Sequence, residues 1–298
     1  MFSRRPTRKV KPMKRRISDR ARWSAPVPAT VVLVVFALAV RASAEPPATA
    51  VIAFNQYAAK VEARLARQHR SVNTFIADVG SGAPMDATFR RGDLIIEQLT
   101  LAADANPPGA LLHHWRGTAF VPGATAADFE RLMKSFSAYP RFFSPQVQQA
   151  GILSPDSGAI RKAIPDQFSA SMRVRQRHVI TVVVDMTCDV NYNRLDARHG
   201  YSASRSTEIS EIASPGTPSE RALSAAEEHG FLWRLNTYWT YEERDSGLYM
   251  QVESISLTRA IPTGLGWAVR PFVESVPRES LEFTLRSTSN ALKKQSSR

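Results

Sequence analysis

The spacing of apolar residues changes along this chain, and each change marks an element. Between residues 50 and 69, Phe54, Tyr57, Ala58, Val61 and Leu65 recur at helical intervals, with Lys60, Glu62, Arg64 and Arg67 between them. That spacing predicts one amphipathic helix. A strand is predicted at 93–101, and a second at 111–123, where Pro122-Gly123 stops it. Thr125 and Asp128 then have the spacing of a capping box, which opens a helix that Tyr139-Pro140 ends, and "RFFSP" suggests a short second helix. From about 147 to 261 the period falls to two. Strands are predicted there at 147–153, 167–177, 178–194, 201–213, 230–243 and 248–261. Residues 266–293 read as helix again, interrupted at Pro277.

This order predicts an α+β fold. A strongly curved antiparallel sheet must cover one face, and the long C-terminal helix is the element available to do so. Within "HVITVVVDMTCDV", Ile180, Val182, Val184, Met186, Cys188 and Val190 share one face, while Thr181, Asp185, Thr187 and Asp189 make the other polar. Met172 and Val174 oppose Arg173, Arg175 and Arg177, so Gln176 and His178 have the apolar parity.

The stretch "WRLNTYWTYEERDSGLYMQVESISLTR", residues 233–259, puts five aromatic rings into one predicted hairpin. A two-residue turn at Ser246-Gly247 would pair Tyr241 with Val252, Trp239 with Ser254, Thr237 with Ser256 and Leu235 with Thr258. One face then holds Trp233, Leu235, Trp239, Tyr241, Met250 and Val252 with Ser254 and Ser256, and it is assigned to the interior. Large rings opposite serines leave room. Packing against the terminal helix or an apolar ligand would fill it, and the ligand reading assigns Trp233, Leu235, Trp239, Tyr241, Val252 and Ser254 to the pocket. Arg205 shares parity with Tyr201, Ala203 and Ile209. It could grip an anionic or carbonyl group of a ligand, or snorkel or pair with a carboxylate at a strand end. His178 is either a hydrogen-bonded core residue or a pocket group.

Charge alters this picture only at the N-terminus. The 298 residues carry a formal charge of +12, but residues 1–44 hold eleven Lys/Arg and one acid, leaving 28 basic and 26 acidic residues beyond. The body is nearly neutral, so net charge gives no support for a nucleic-acid surface. The basic stretch, the apolar "APVPATVVLVVFALAV" and the small residues Ala42 and Ala44 have the order of a signal peptide cleaved after Ala44. The expected organisation is therefore a signal peptide at 1–44, an N-terminal extension of helix plus strand at 45–109, and the main domain at 110–298, in the periplasm or outside the cell. An N-terminal segment kept as an anchor is the rival.

Catalytic signatures are absent from the sequence. The six histidines form no H-E-x-x-H or other close metal-ligand array, and adjacent His113 and His114 would point to opposite faces of a strand. "DVNYNRLDARHG" begins like a calcium loop but has Arg194 at the turn glycine and Gly200 at the bidentate glutamate. There is no G-x-S-x-G, P-loop or G-x-G-x-x-G. Cys188, the single cysteine, sits in an apolar strand and reads as a small core residue. No catalytic residue, metal or cofactor is expected.

The element order, with "FVPGATAADFERLM", "YPRFFSP", "GLYMQVESISLTRAIP" and "FVESVPRESLEFTLRS", resembles the START-like (SRPBCC, helix-grip) superfamily of polyketide cyclases and lipid-transfer domains, over about residues 110–294. The resemblance implies a hydrophobic pocket between curved sheet and C-terminal helix for a lipid, quinone or polyketide-like molecule. It favours a non-catalytic carrier, which would touch a membrane transiently. A cyclase- or hydrolase-like enzyme in the same pocket and a structural protein without ligand are the alternatives.

Overall fold

The computed structural model describes residues 45–79, 89, 92–99, 107–153, 166–177, 181–260 and 266–296, with the side chains of 266–274 outside the description. The expected signal peptide, and His178 with it, lie outside the described residues. Helix α1 spans Ala48–Gln68, and strands β1 (Ile95–Gln98) and β2 (Ala110–Pro122) follow. Helices α2 (Ala126–Lys134) and α3 (Tyr139–Phe142) lead to β3 (Val147–Ile152), β4 (Gln167–Arg177), β5 (Thr181–Arg194) and β6 (His199–Ala213). The chain closes with β7 (Arg221–Ala222), β8 (Arg234–Arg244), β9 (Gly247–Arg259) and α4 (Gly266–Ser296).

Helix α2 begins where the sequence places it. The Thr125 hydroxyl accepts from the Asp128 backbone N–H while the Asp128 carboxylate accepts from that of Thr125, satisfying two of the free donors at the helix start. Helix α4 is continuous through Pro277, where an interruption is predicted. The bond that proline removes is offset by burial of Leu281, Leu285 and Leu292 against the body.

The strands form one nine-stranded antiparallel sheet in the order β1-β2-β9-β8-β6-β5-β4-β3, with β7 on β6. The β8-β9 turn is Asp245-Ser246, one residue earlier than expected, and both residues have positive φ, 54° and 58°. That is the type I′ geometry that matches strand twist. The pairs are consequently Tyr241 with Met250, Trp239 with Val252, Thr237 with Ser254 and Leu235 with Ser256. The register differs from expectation by two residues, which preserves every side chain's face.

Two contacts show how strongly the sheet bends. A Cβ added at Gly117 in β2 would lie 3.1 Å from Leu285 and 3.5 Å from Leu281, so α4 rests directly on that strand. Ser280 of the same helix turn accepts a 3.0 Å hydrogen bond from Gln176 in β4. Four strands separate β2 from β4 in the sheet order, and a flat sheet would hold them roughly 24 Å apart at ~4.8 Å per strand. One helical turn reaches both because the sheet curls around the helix. The expected α+β, helix-grip layout is the one observed.

The convex face is covered by α1. Its Phe54, Val61 and Leu65 pack with Leu112, Tyr238, Ile255 and Leu257, and Tyr57 adds its ring at the edge. Polar contacts fasten the same helix: Tyr57 hydroxyl meets His114 Nδ1 at 2.9 Å, His114 Nε2 meets Glu253 at 2.9 Å, and Arg64 pairs with Glu253. Burial works against the Glu253 carboxylate, but His114 and Arg64 outweigh it and hold its pKa below the usual range.

Candidate ligand-binding site

The concave face is divided into a filled half and an open half. In the filled half α2 drives Phe129 between Trp239 and Tyr241, with ring centroids 5.2 Å and 4.5 Å away. Tyr241 is fully buried, and its ring leaves no space for a side chain at Gly200, where a Cβ would lie 2.3 Å from it. The Tyr241 hydroxyl donates to Glu130 Oε1 at 2.6 Å, and Arg194 and Lys134 pair with the same carboxylate. Burial raises the Glu130 pKa, but the hydrogen bonds from Arg194 and Tyr241 more than reverse this and keep it ionised. Burial, with the nearby Glu130 charge, pushes the Tyr241 hydroxyl well up, so it remains a donor. These groups close one end of the interior.

The open half begins one residue pair further down the strands. Register places Trp115 beside Ser254, Ser254 beside Thr237, Thr237 beside Ser204, Ser204 beside Val190 and Val190 beside Phe168. The row crosses six strands on the side that α4 covers. Trp115, Ser254, Thr237, Ser204 and Phe168 are nevertheless only partly buried. The contrast within single strands is sharp: from Leu248 to Leu257 in β9, Ser254 alone is partly exposed. In β8 the run from Asn236 to Glu242 is broken only at Thr237. Leu235, Ile209, Met172, Val174 and Val182 extend the partly buried apolar surface below the row. Partial exposure on this face means that these side chains are reached by solvent rather than closed over as Trp239 and Tyr241 are.

Hydrogen bonding points to the same place. Ser206 Oγ accepts from the Leu235 backbone N–H at 2.9 Å, and Ser204 bonds to the Cys188 thiol, whose pKa burial raises. Cys188 is thus an inert interior residue. Among the described residues, the Thr237 and Ser254 side chains have no hydrogen-bond partner, and neither hydroxyl is sealed from solvent. The Trp115 indole N–H, at the end of the row, is buried without a partner.

The residues assigned to a pocket from sequence separate into groups. Leu235 and Ser254 belong to the open half, and Val252 lies fully buried beside it. Trp239 and Tyr241 are on the expected face but serve as packed core against α2. Trp233 is not in this interior: it packs on the convex side with Phe54 and Leu257. It precedes the first ladder residue of β8, so strand alternation does not govern it, and its ring lies against Gly230, whose φ of +77° turns the chain there. Arg205 is also convex, bonded to Glu62 of α1 at 2.7 Å and to Asn191 at 3.1 Å. The inward reading failed because the convex face is apolar too, with Ala203 in its core and Tyr201 stacked on His69, and because a β-bulge separates Arg205 from Ile209. Cys188 pairs with Ser206 while Thr187 pairs with Glu208, so Thr207 is an extra residue and Arg205 and Ile209 face opposite ways. His178 lies outside the described residues. Sequence reasoning passed over Trp115 and Thr237: the period-two rule applied from Leu235 would have included Thr237, whereas Trp115 joins the row only through the β2-β9 register.

A curled antiparallel sheet closed by a C-terminal helix is the defining feature of this layout. The fold is helix-grip. No family model and no curated protein matches the sequence. Among solved structures, the chain is similar to a STAR-related lipid transfer protein from Xanthomonas axonopodis, at 13% identity and a TM-score of 0.41, over 66% of this chain and 98% of that one. It is similar to a START superfamily protein from Mycobacterium smegmatis, at 13% identity and a TM-score of 0.38, over 62% and 98%. The Zhui aromatase/cyclase from a Streptomyces species matches at 15% identity and a TM-score of 0.38, over 63% and 95%. The helix-grip assignment rests on this chain's own clasp of α4 between β2 and β4.

Proposed function

We propose that this protein is an exported, non-catalytic carrier or receptor for a small hydrophobic molecule held between the concave row and helix α4. The observation that carries the reading is the partial exposure of Leu235, Met172, Val174, Val182 and Ile209 on the side of the sheet that the helix covers. Leaving such residues against water forfeits about 25 cal/mol for each Å² of apolar surface, which an apolar ligand recovers by burying it. The charged side chains described at the closed end, Glu130, Arg194 and Lys134, are bonded to one another or to Tyr241. They therefore serve the architecture rather than a reaction. Transient contact with a membrane, to load or release the ligand, follows from the same reading, as does export directed by residues 1–44.

Native mass spectrometry of the protein purified from an exporting host, followed by organic extraction, tests this. An apolar compound released chemically unchanged is expected. Protein that carries none, and that binds no fluorescent lipid or quinone after purification, would remove the proposal, and a chemically altered compound would point to an enzyme.

A further inference from the structure

The open half of the chamber is not uniformly apolar. Its floor carries a polar seam, and we infer that the seam selects a ligand with an uncharged hydroxyl or carbonyl group over the corresponding anion. This rests on the ligand-binding reading above. Ser254 and Thr237 are neighbours across the β8-β9 ladder, and their hydroxyls are unpaired and not sealed from solvent. A hydroxyl both donates and accepts, so the pair satisfies either an alcohol or a carbonyl. Trp115 flanks Ser254 in the same row, but its indole N–H is sealed from solvent, so the seam open to a ligand is the hydroxyl pair.

The row's neutrality discriminates against charge. Trp115, Ser254, Thr237, Ser204, Val190 and Phe168 include no cation. The nearest Arg or Lys along β5 and β6 on that face is Arg194, which pairs opposite Gly200, four residues from Ser204 or about 13 Å along the strand. It is already committed to Glu130. Among the described residues of these strands, an anion brought to the seam would therefore lose its hydration without gaining a cation, whereas a neutral polar group exchanges water for protein hydroxyls at little cost.

Three probes on one skeleton, 2-naphthol, naphthalene and 2-naphthoate, test this at pH 7 by tryptophan fluorescence titration of the purified, extracted protein. We expect 2-naphthol to bind about five- to tenfold more tightly than naphthalene, as one net hydrogen bond implies, and naphthoate to bind most weakly. Thr237→Val and, separately, Ser254→Ala should each shrink the ratio of naphthol to naphthalene affinity. The naphthalene titration also reports that each variant is folded. Equal binding of all three, preference for naphthoate, or a naphthol advantage that survives both variants would overturn the inference while leaving the carrier reading in place. If none of the three binds and no apolar compound co-purifies, the carrier reading itself fails.

Discussion

The Tyr241 hydroxyl and the Glu130 carboxylate, 2.6 Å apart, join the centre of the sheet to helix α2 across the interior. Tyr241→Phe should lower stability by about 1–2 kcal/mol, because Arg194 remains to satisfy the carboxylate. The Glu130 pKa is held below the ordinary glutamate value of 4.5, so its contribution is complete above that value and is lost as pH falls through the lower folded value. Denaturant unfolding from pH 6 down to pH 3 should show Glu130→Gln with a shallower acid loss than wild type. Parallel curves would refute the role.

His69 supplies a second, separate pH dependence. It is 7% exposed, stacks on Tyr201 with centroids 4.2 Å apart and bonds Thr240 at 2.9 Å. Burial lowers its pKa to about 4, against the pull of Glu253, so the folded state keeps it neutral. The unfolded chain takes up a proton below about pH 6.5, and stability should therefore fall between pH 6.5 and 4, by on the order of 3 kcal/mol at most. His69→Gln should remove that segment of the pH–stability curve and leave the steeper acid limb.

Leu235→Trp distinguishes open from filled space. If the chamber is unfilled, the larger ring enters it, ligand binding is lost and the melting temperature of unliganded protein changes little. A filled interior would instead give the usual overpacking loss of about 1–3 kcal/mol. Trp239→Ala, by contrast, deletes a ring packed on Phe129 and should cost about 3–5 kcal/mol.

On the convex side, deletion of residues 45–70 should lower the melting temperature sharply, since it exposes Ile255 and Leu257, both fully buried under α1. Arg205→Ala removes only a partly exposed pair with Glu62 and should cost less than about 1 kcal/mol, with no change in ligand affinity. A large affinity loss would return Arg205 to the ligand site.

Export is checked by N-terminal sequencing of protein from an exporting host. Glu45 is the expected first residue, and a full-length, membrane-bound product would show that the leader is retained as an anchor.

Alternation and helical spacing, read without any structure, determined the element order and most side-chain faces. They separated Met186, Cys188 and Val190 from Asp185 and Asp189, and they marked the α1 stripe that covers Ile255 and Leu257. A two-residue error in the β8-β9 register left those faces intact because the side-chain period is two. Tertiary structure decided the rest. The extra residue at Thr207 parted Arg205 from Ile209 and left it with the convex Ala203, and the turn at Gly230 placed Trp233 on that side as well. Nothing in the spacing distinguishes Trp239 from Thr237, two positions apart on one face. One is buried under Phe129 of α2, and the other is left partly exposed on the same face. Which of the two is covered depends on where α2 lands on the sheet, a relation between elements remote in sequence.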